Sequence, residues 1–244
     1  MTDELPDGSA RAAAFFGRRK GRPLRTLQAE RVADLLPALA LPLDRPAPPR
    51  LGSMFPGDPD DVRLEIGFGG GEHFVFRAIE SPDAGHIGVE PFLNGMAKAL
   101  VVTAERQLTN VRFSDADAIR VLDWLPDGSL SRVSLLYPDP WPKKRHWKRR
   151  FVGPDTVARL ARVIRPGGTF EFASDIESYV DWTLWHVRRD RRFSWTARRP
   201  ADWLTPFPGW PGTRYEAKAL REGRRPAYLT FRRIGEDDGE AVAA

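Results

Sequence analysis

The chain predicts an α/β fold: a mainly parallel sheet with helices on both faces. Three observations carry this. Short apolar runs alternate with amphipathic stretches from residue 62 to residue 189, the pattern of repeated strand–helix units. A glycine-rich turn, Gly67-Phe68-Gly69-Gly70-Gly71, joins the first apolar run to the first amphipathic one. Acidic residues stand at the ends of several apolar runs (Glu90, Asp117 and Asp139), and in such sheets ligands bind outside the carboxyl ends of the strands.

Residues 1–22 are polar and small and end in Gly17-Arg18-Arg19-Lys20-Gly21-Arg22. A segment of that composition cannot bury enough apolar surface to offset its ordering entropy, so a flexible basic arm is expected. Residues 23–60 read as a short helix, Thr26 to Leu36, and a connector with prolines at 42, 46, 48, 49, 56 and 59. The folded core is expected over 61–234. Its elements are a strand Val62–Gly67, a helix Glu72–Glu80, a strand Gly85–Glu90 and a helix Phe92–Arg106. Leu93, Met96, Ala97, Leu100, Val101 and Ala104 share one face of that last helix. Strands Val111–Asp115 and Val133–Tyr137 follow, then a helix Pro154–Ile164, a strand Thr169–Ser174 and a helix Ile176–Arg189. Two further strands over Phe193–Arg233 flank a Pro/Gly/Trp-rich excursion from Trp203 to Gly212. Residues 235–244 read as a disordered tail.

Composition bounds the function. Of 244 residues, 41% are hydrophobic and 29% charged, with a formal net charge of +5, which favours an acidic partner such as nucleic acid. No apolar run reaches the roughly 18–20 residues of a membrane span, and the N-terminus has no secretory apolar core. With no cysteine and four histidines lacking ligand spacing, neither a thiolate nucleophile nor a metal site is expected. A cytoplasmic protein is the simplest reading.

The glycine turn departs from the dinucleotide pattern Gly-x-Gly-x-x-Gly, because Glu72 stands at the third position after Gly67 and Gly69. Glu65, just before the turn, is expected to point at the ligand. A carboxylate there repels a pyrophosphate and suits a cation. S-adenosyl-L-methionine (SAM) has no phosphate and carries an ammonium and a sulfonium, so it fits better. Gly67, Gly69 and Gly71 let the backbone approach it closely. Glu90 is placed to accept from ribose hydroxyls. Asp117 is placed to accept from the adenine amino group, with Asp115 competing for that role.

The stretch 133–150, VSLLYPDPWPKKRHWKRR, combines a strand, a proline stop, one carboxylate (Asp139) held between Pro138 and Pro140, the ring of Trp141, and a dense basic run. Its chemistry points to a polyanion. Lys143, Arg145, Lys148, Arg149 and Arg150 are expected to hold phosphates. Trp141 either stacks on a base or braces the loop.

The pieces LEIGFGGGEH, GVEPF, DADA, YPDPWPKKRHWKRR, ASD and TRYE, in that order over residues 64–216, resemble the bacterial tRNA (guanine-N7-)-methyltransferase family, often called TrmB. FFGRRKG also looks like its N-terminal region. The resemblance implies a class I SAM-dependent methyltransferase (Rossmann-like) fold with a seven-stranded sheet. It implies SAM as donor and the guanine at tRNA position 46 as acceptor. The family's SAM contacts fall on Glu65, Glu90, Asp117 and Asp139. Its substrate contacts fall on Lys143, Asp175 and Thr213-Arg214-Tyr215-Glu216. Guanine N7 presents a free lone pair, so no general base is required. Asp139 is the candidate catalytic residue, either fixing the guanine or holding SAM at the transfer point. Glu216 is expected to accept from the guanine's N1 and amino donors. Alternatives are a methyltransferase acting on an exocyclic amine, whose loop would read Pro-Pro-aromatic, and a tRNA-binding module without activity. Oligomeric state, monomer or homodimer, stays open.

Overall fold

The structure, a computed structural model, describes residue 19 and residues 21–235. Most of the expected basic arm and all of the tail beyond Gly235 lie outside the described residues. The elements run α1 (Thr26–Leu39), β1 (Val62–Ile66), α2 (Glu72–Glu80), β2 (Gly85–Val89), α3 (Leu93–Glu105), β3 (Val111–Ser114), α4 (Ala118–Trp124), β4 (Leu130–Leu136), α5 (Pro154–Val163), β5 (Ile164–Ser174), α6 (Glu177–Val187), β6 (Phe193–Trp195), α7 (Ala201–Leu204), α8 (Arg214–Arg221) and β7 (Ala227–Arg233). The sheet has seven strands in the order β3-β2-β1-β4-β5-β7-β6. β7 alone runs against the others, pairing antiparallel with β5 and with β6. The order reverses between β1 and β4, which pair in parallel, and this switch point opens the crevice that holds the site.

Side-chain alternation sorts β1 between two layers. Val62, Leu64 and Ile66 face the layer of α4, α5 and α6, where Leu122, Leu160 and Tyr179 are buried. The opposite layer is built from α2 and α3, with Phe74, Met96 and Leu100 packed on Phe113 of β3. α1 covers that cluster with Val32, Leu35, Leu36 and Leu39.

Several elements differ from the sequence reading. α1 runs through Pro37 to Leu39 rather than stopping at Leu36. The proline-rich connector belongs to the core: Leu41, Leu51 and Phe55 are buried, and the Leu41 N–H donates to the Phe113 carbonyl at 2.8 Å. α4 and α8 are helices in stretches to which the sequence reading assigned no element. β5 begins at Ile164, and its pairing with β4 shifts register between Leu130 and Arg132 to absorb Pro166-Gly167-Gly168. Among the described residues no helix is long and apolar enough to cross a membrane.

Candidate active site

A cleft of about 520 Å³ opens at the carboxyl ends of β1, β2 and β4, a volume typical of small-molecule sites. Gly67, Gly69, Glu90, Asp117, Asp139, Arg214 and Tyr215 all line it. The sequence reading therefore brings together seven of its site residues.

The glycine turn follows β1 with φ of +70° at Gly67, +59° at Gly69 and +84° at Gly71, values that side chains disfavour. Glu90 fixes the turn. One carboxylate oxygen accepts the Gly69 N–H at 2.6 Å and the other accepts the Phe92 N–H at 2.9 Å. Burial pushes the Glu90 carboxyl above the usual range. The two N–H donors and Arg214 oppose that shift, and Asp139 across the cleft adds to it. Gly95 of α3 lets the helix press on the turn, since a Cβ there would overlap the Gly69 carbonyl.

Asp117 caps α4, accepting the Ile119 N–H at 2.8 Å, and still faces the cleft. Asp115 is exposed and is not among the cleft-lining residues. Phe92 was not singled out from the sequence. It lines the same wall, and its signal was an aromatic directly after Glu90-Pro91.

Asp139 sits on a constrained loop. Tyr137 and Trp141 on either side take φ of +49° and +43°. Each such non-glycine residue costs on the order of 1–3 kcal/mol, and strain of this kind concentrates at functional sites. The Asp139 side chain is exposed to the cleft and has no hydrogen-bond partner among the described residues. The Trp141 ring lines the cleft while the Arg149 guanidinium stacks at 4.9 Å and His146 packs edge-on at 6.0 Å. Bracing and availability for stacking thus coexist.

The basic run is a short 3₁₀ helix, Lys144–Arg149. Lys148 and Arg149 line the cleft, whereas Lys143 is exposed outside its lining. Arg150, expected to hold a phosphate, borders the cleft but is only 5% exposed, and its guanidinium is committed internally. Its guanidinium donates to the Pro140 carbonyl at 3.1 Å and to the Ser178 carbonyl at 2.7 Å, between the rings of Trp147 and Tyr179. Arg150 ties the Asp139 loop to α6.

Three other residues are placed differently from expectation. Glu65 shares the α2 face of β1 with Arg63, because the strand period turns it away from Leu64 and Ile66. It meets His73 Nδ1 at 2.7 Å and lines a separate polar cavity of about 20 Å³. It sits behind the glycine turn instead of pointing into the cleft. Asp175 is ion-paired with Arg224 and lies outside the cleft lining; Ser174 Oγ accepts the Ile176 N–H in its stead at the start of α6.

Glu216, expected to read the base, is 7% exposed. Trp210 Nε1 donates to it at 2.6 Å, the Tyr228 hydroxyl donates to its other oxygen, and Thr213 N–H lies at 3.4 Å. Thr213 Oγ1 in turn accepts the Glu216 N–H at 3.1 Å, a capping box that starts α8. Glu216 and Thr213 so anchor α8, and the anchored helix projects Arg214 and Tyr215 over Gly69. Tyr215 is 45% exposed, not a core aromatic, and the Arg214 guanidinium packs 4.8 Å from its ring.

Residues 60–228 match the profile of a family described as "Putative methyltransferase". A tRNA (guanine-N(7)-)-methyltransferase of Rhizobium meliloti is 58% identical over 226 residues, covering 93% of this chain and 97% of the relative. The chain belongs to the tRNA (guanine-N7-)-methyltransferase (TrmB) family. A second member, from Agrobacterium fabrum, is 57% identical over 95% of this chain and 99% of its own length. The crystal structure of the 16S rRNA methyltransferase KamB superposes with a TM-score of 0.54 at 18% identity, over 76% of this chain and 91% of that one. The antibiotic-resistance methyltransferase Kmr gives 0.51 at 21% identity, over 76% and 92%. At those identities the likeness is one of fold, the class I methyltransferase fold.

Proposed function

We propose that this chain transfers the methyl group of SAM to N7 of the guanine at variable-loop position 46 of tRNA, in the cytoplasm. The observation that carries the reading is the two-sided charge of one cleft. Glu90, Asp117 and Asp139 line the strand edge, while Lys148, Arg149 and Arg214 line the same cleft as cations. A cationic donor suits the first set and a polyanionic acceptor the second.

The residues fit SAM. A Cβ on Gly67 would meet nothing within 4 Å, so the floor of the cleft at the glycine turn is open to a ligand. Burial raises the Glu90 carboxyl and the neighbouring Asp139 adds to the shift; a bound cation relieves that repulsion. Gly67 and Gly69 would pass close under the donor, with Gly71 closing the turn. Glu90 would hold the ribose and Asp117 the adenine amino group. Glu65 would act from behind, through His73 and the turn. When bound, SAM supplies a methyl group on a positively charged sulfur, which keeps the electron pair of the breaking bond.

The protein's own task is placement. N7 attacks through a lone pair that needs no deprotonation, so rate comes from alignment, worth up to several kcal/mol. Methylation at N7 leaves positive charge on the base, and the exposed Asp139 carboxylate faces that developing charge. Arg214 and Tyr215 cover the base, which leaves its tertiary pairing to enter the cleft. Lys143, Lys148 and Arg149 hold phosphates, and Thr213, Asp175 and Glu216 support this wall through α8 and Arg224.

The test is nucleoside mass analysis after incubation with SAM and paired unmodified tRNA transcripts carrying guanine or adenine at position 46. The reading predicts 7-methylguanosine in the guanine transcript alone. An N-methylated amine, or 7-methylguanosine in both transcripts, contradicts it.

A further inference from the structure

α6 buries Tyr179, Val180, Thr183 and Val187 and turns one large aromatic outward. Trp185 is 54% exposed. It is not a loose side chain. His186 packs edge-on against its ring at 4.6 Å, and the Arg189 guanidinium lies 4.3 Å from the ring centroid. A single exposed apolar side chain needs no explanation; a tryptophan held by two neighbours is already ordered, so a partner would not have to order it.

The surroundings define the partner's charge. Arg188, Arg189, Arg191 and Arg192 fall within five residues. The intervening Asp190 is committed to Arg192, at 2.6 Å. Among the described residues Arg188, Arg189 and Arg191 form no ion pair, and all three are exposed. Exposed guanidiniums around a fixed aromatic face suit a polyanion with unstacked bases.

The position also matters. Trp182 meets His186 at 4.4 Å and Trp147 at 5.6 Å, and Trp147 belongs to the basic 3₁₀ helix whose Lys148 and Arg149 line the cleft. A chain of ring contacts, passing through the buried His186, thus runs from the basic 3₁₀ helix to Trp185.

We propose that Trp185 and Arg189 form a second RNA contact, outside the cleft, on which the substrate tRNA rests its backbone and one unstacked base. This rests on the reading that the substrate is tRNA. It differs from the basic run around the cleft, because it sets affinity for the whole RNA without touching the reacting base.

The experiment uses the full chain and the variants Trp185→Ala, Trp185→Phe and Arg189→Glu. Unmodified tRNA binding is measured across salt concentrations, and methyl transfer is measured with KM and kcat separated. Expected are a rise of about tenfold in tRNA Kd and KM for Trp185→Ala, recovery in Trp185→Phe, and a salt slope shallower by about one for Arg189→Glu. kcat at saturating tRNA and SAM affinity should stay at wild-type values. Unchanged Kd and slope while the wild type makes 7-methylguanosine would overturn the platform and leave the function standing. Weakened tRNA binding in the variants of a protein that makes no 7-methylguanosine would support the platform and remove the function. A wild-type dimer that falls apart in Trp185→Ala would overturn it in favour of an interface between two copies.

Discussion

Glu90 holds Gly69: its carboxylate accepts the glycine's N–H at 2.6 Å while its other oxygen accepts from Phe92. One acid at the end of β2 thereby sets the shape of the turn after β1 and the position of an aromatic wall. Glu90→Gln should weaken SAM binding by roughly 10- to 100-fold, the loss expected for charge-assisted bonds. Because burial raises the Glu90 carboxyl, wild-type affinity should fall as pH drops toward that raised value. The variant's affinity should be flat there. Calorimetric titration with SAM at several pH values reads both effects.

Arg150 is a brace for the Asp139 loop. It is buried, and it joins Pro140 to Ser178. Arg150→Ala should lower stability by on the order of 3 kcal/mol, leaving two carbonyls unpaired. Arg149→Ala should lower tRNA affinity with little change in thermal melting. Melting curves beside tRNA binding curves separate the two arginines.

Glu216 anchors α8 through Tyr228 and Trp210. Trp210 and Tyr228 donate to its two different oxygens, so Glu216→Gln turns an N–H toward one of them. About 1–3 kcal/mol of stability should be lost. Tyr228→Phe in the same background should add less than its own single effect. A double-mutant cycle by chemical denaturation checks this. Full additivity would mean that the two side chains do not share a bond.

His86 on β2 is pushed down to about 4, chiefly by burial and also by Arg63. The folded protein then binds fewer protons than the unfolded chain between pH 6.5 and about 4. Stability should be complete above pH 6.5 and lost as pH falls toward 4. The gap corresponds to about 3 kcal/mol. Denaturation midpoints over that window should fall in the wild type, and His86→Asn should remove most of the slope.

The strand–helix alternation from β1 to α6 was legible because each element carries its own period and its own stop. What escaped was short or cut against the pattern. α4 is seven residues long, and its apolar Ile119-Arg120-Val121-Leu122 reads equally as loop or helix. α8 follows the Pro/Gly/Trp-rich excursion, which carries no helical period, yet Thr213-Arg214-Tyr215-Glu216 is itself a capping-box signature. The motif that the resemblance assigned to substrate was also a helix start. In the site, the convergence of Glu90, Asp117 and Asp139 was readable from topology, since they follow strands that the parallel arrangement brings to one cleft. The placement of Glu65, Arg150 and Glu216 was not. Their residue types suit ligands, but their direction depends on strand parity or on partners such as Ser178 and Tyr228, which lie 28 and 12 residues away.

The most direct test of the account is single-turnover methyl transfer by Asp139→Ala, with labelled SAM and saturating unmodified tRNA. The side chain is exposed to the cleft with no internal hydrogen bond among the described residues, so the fold should survive its loss. Expected are tRNA binding within about twofold of wild type and transfer slowed by about 100-fold or more, the range for removing one preorganised electrostatic group. Near-wild-type transfer would show that Asp139 neither positions the guanine nor acts at the transfer point.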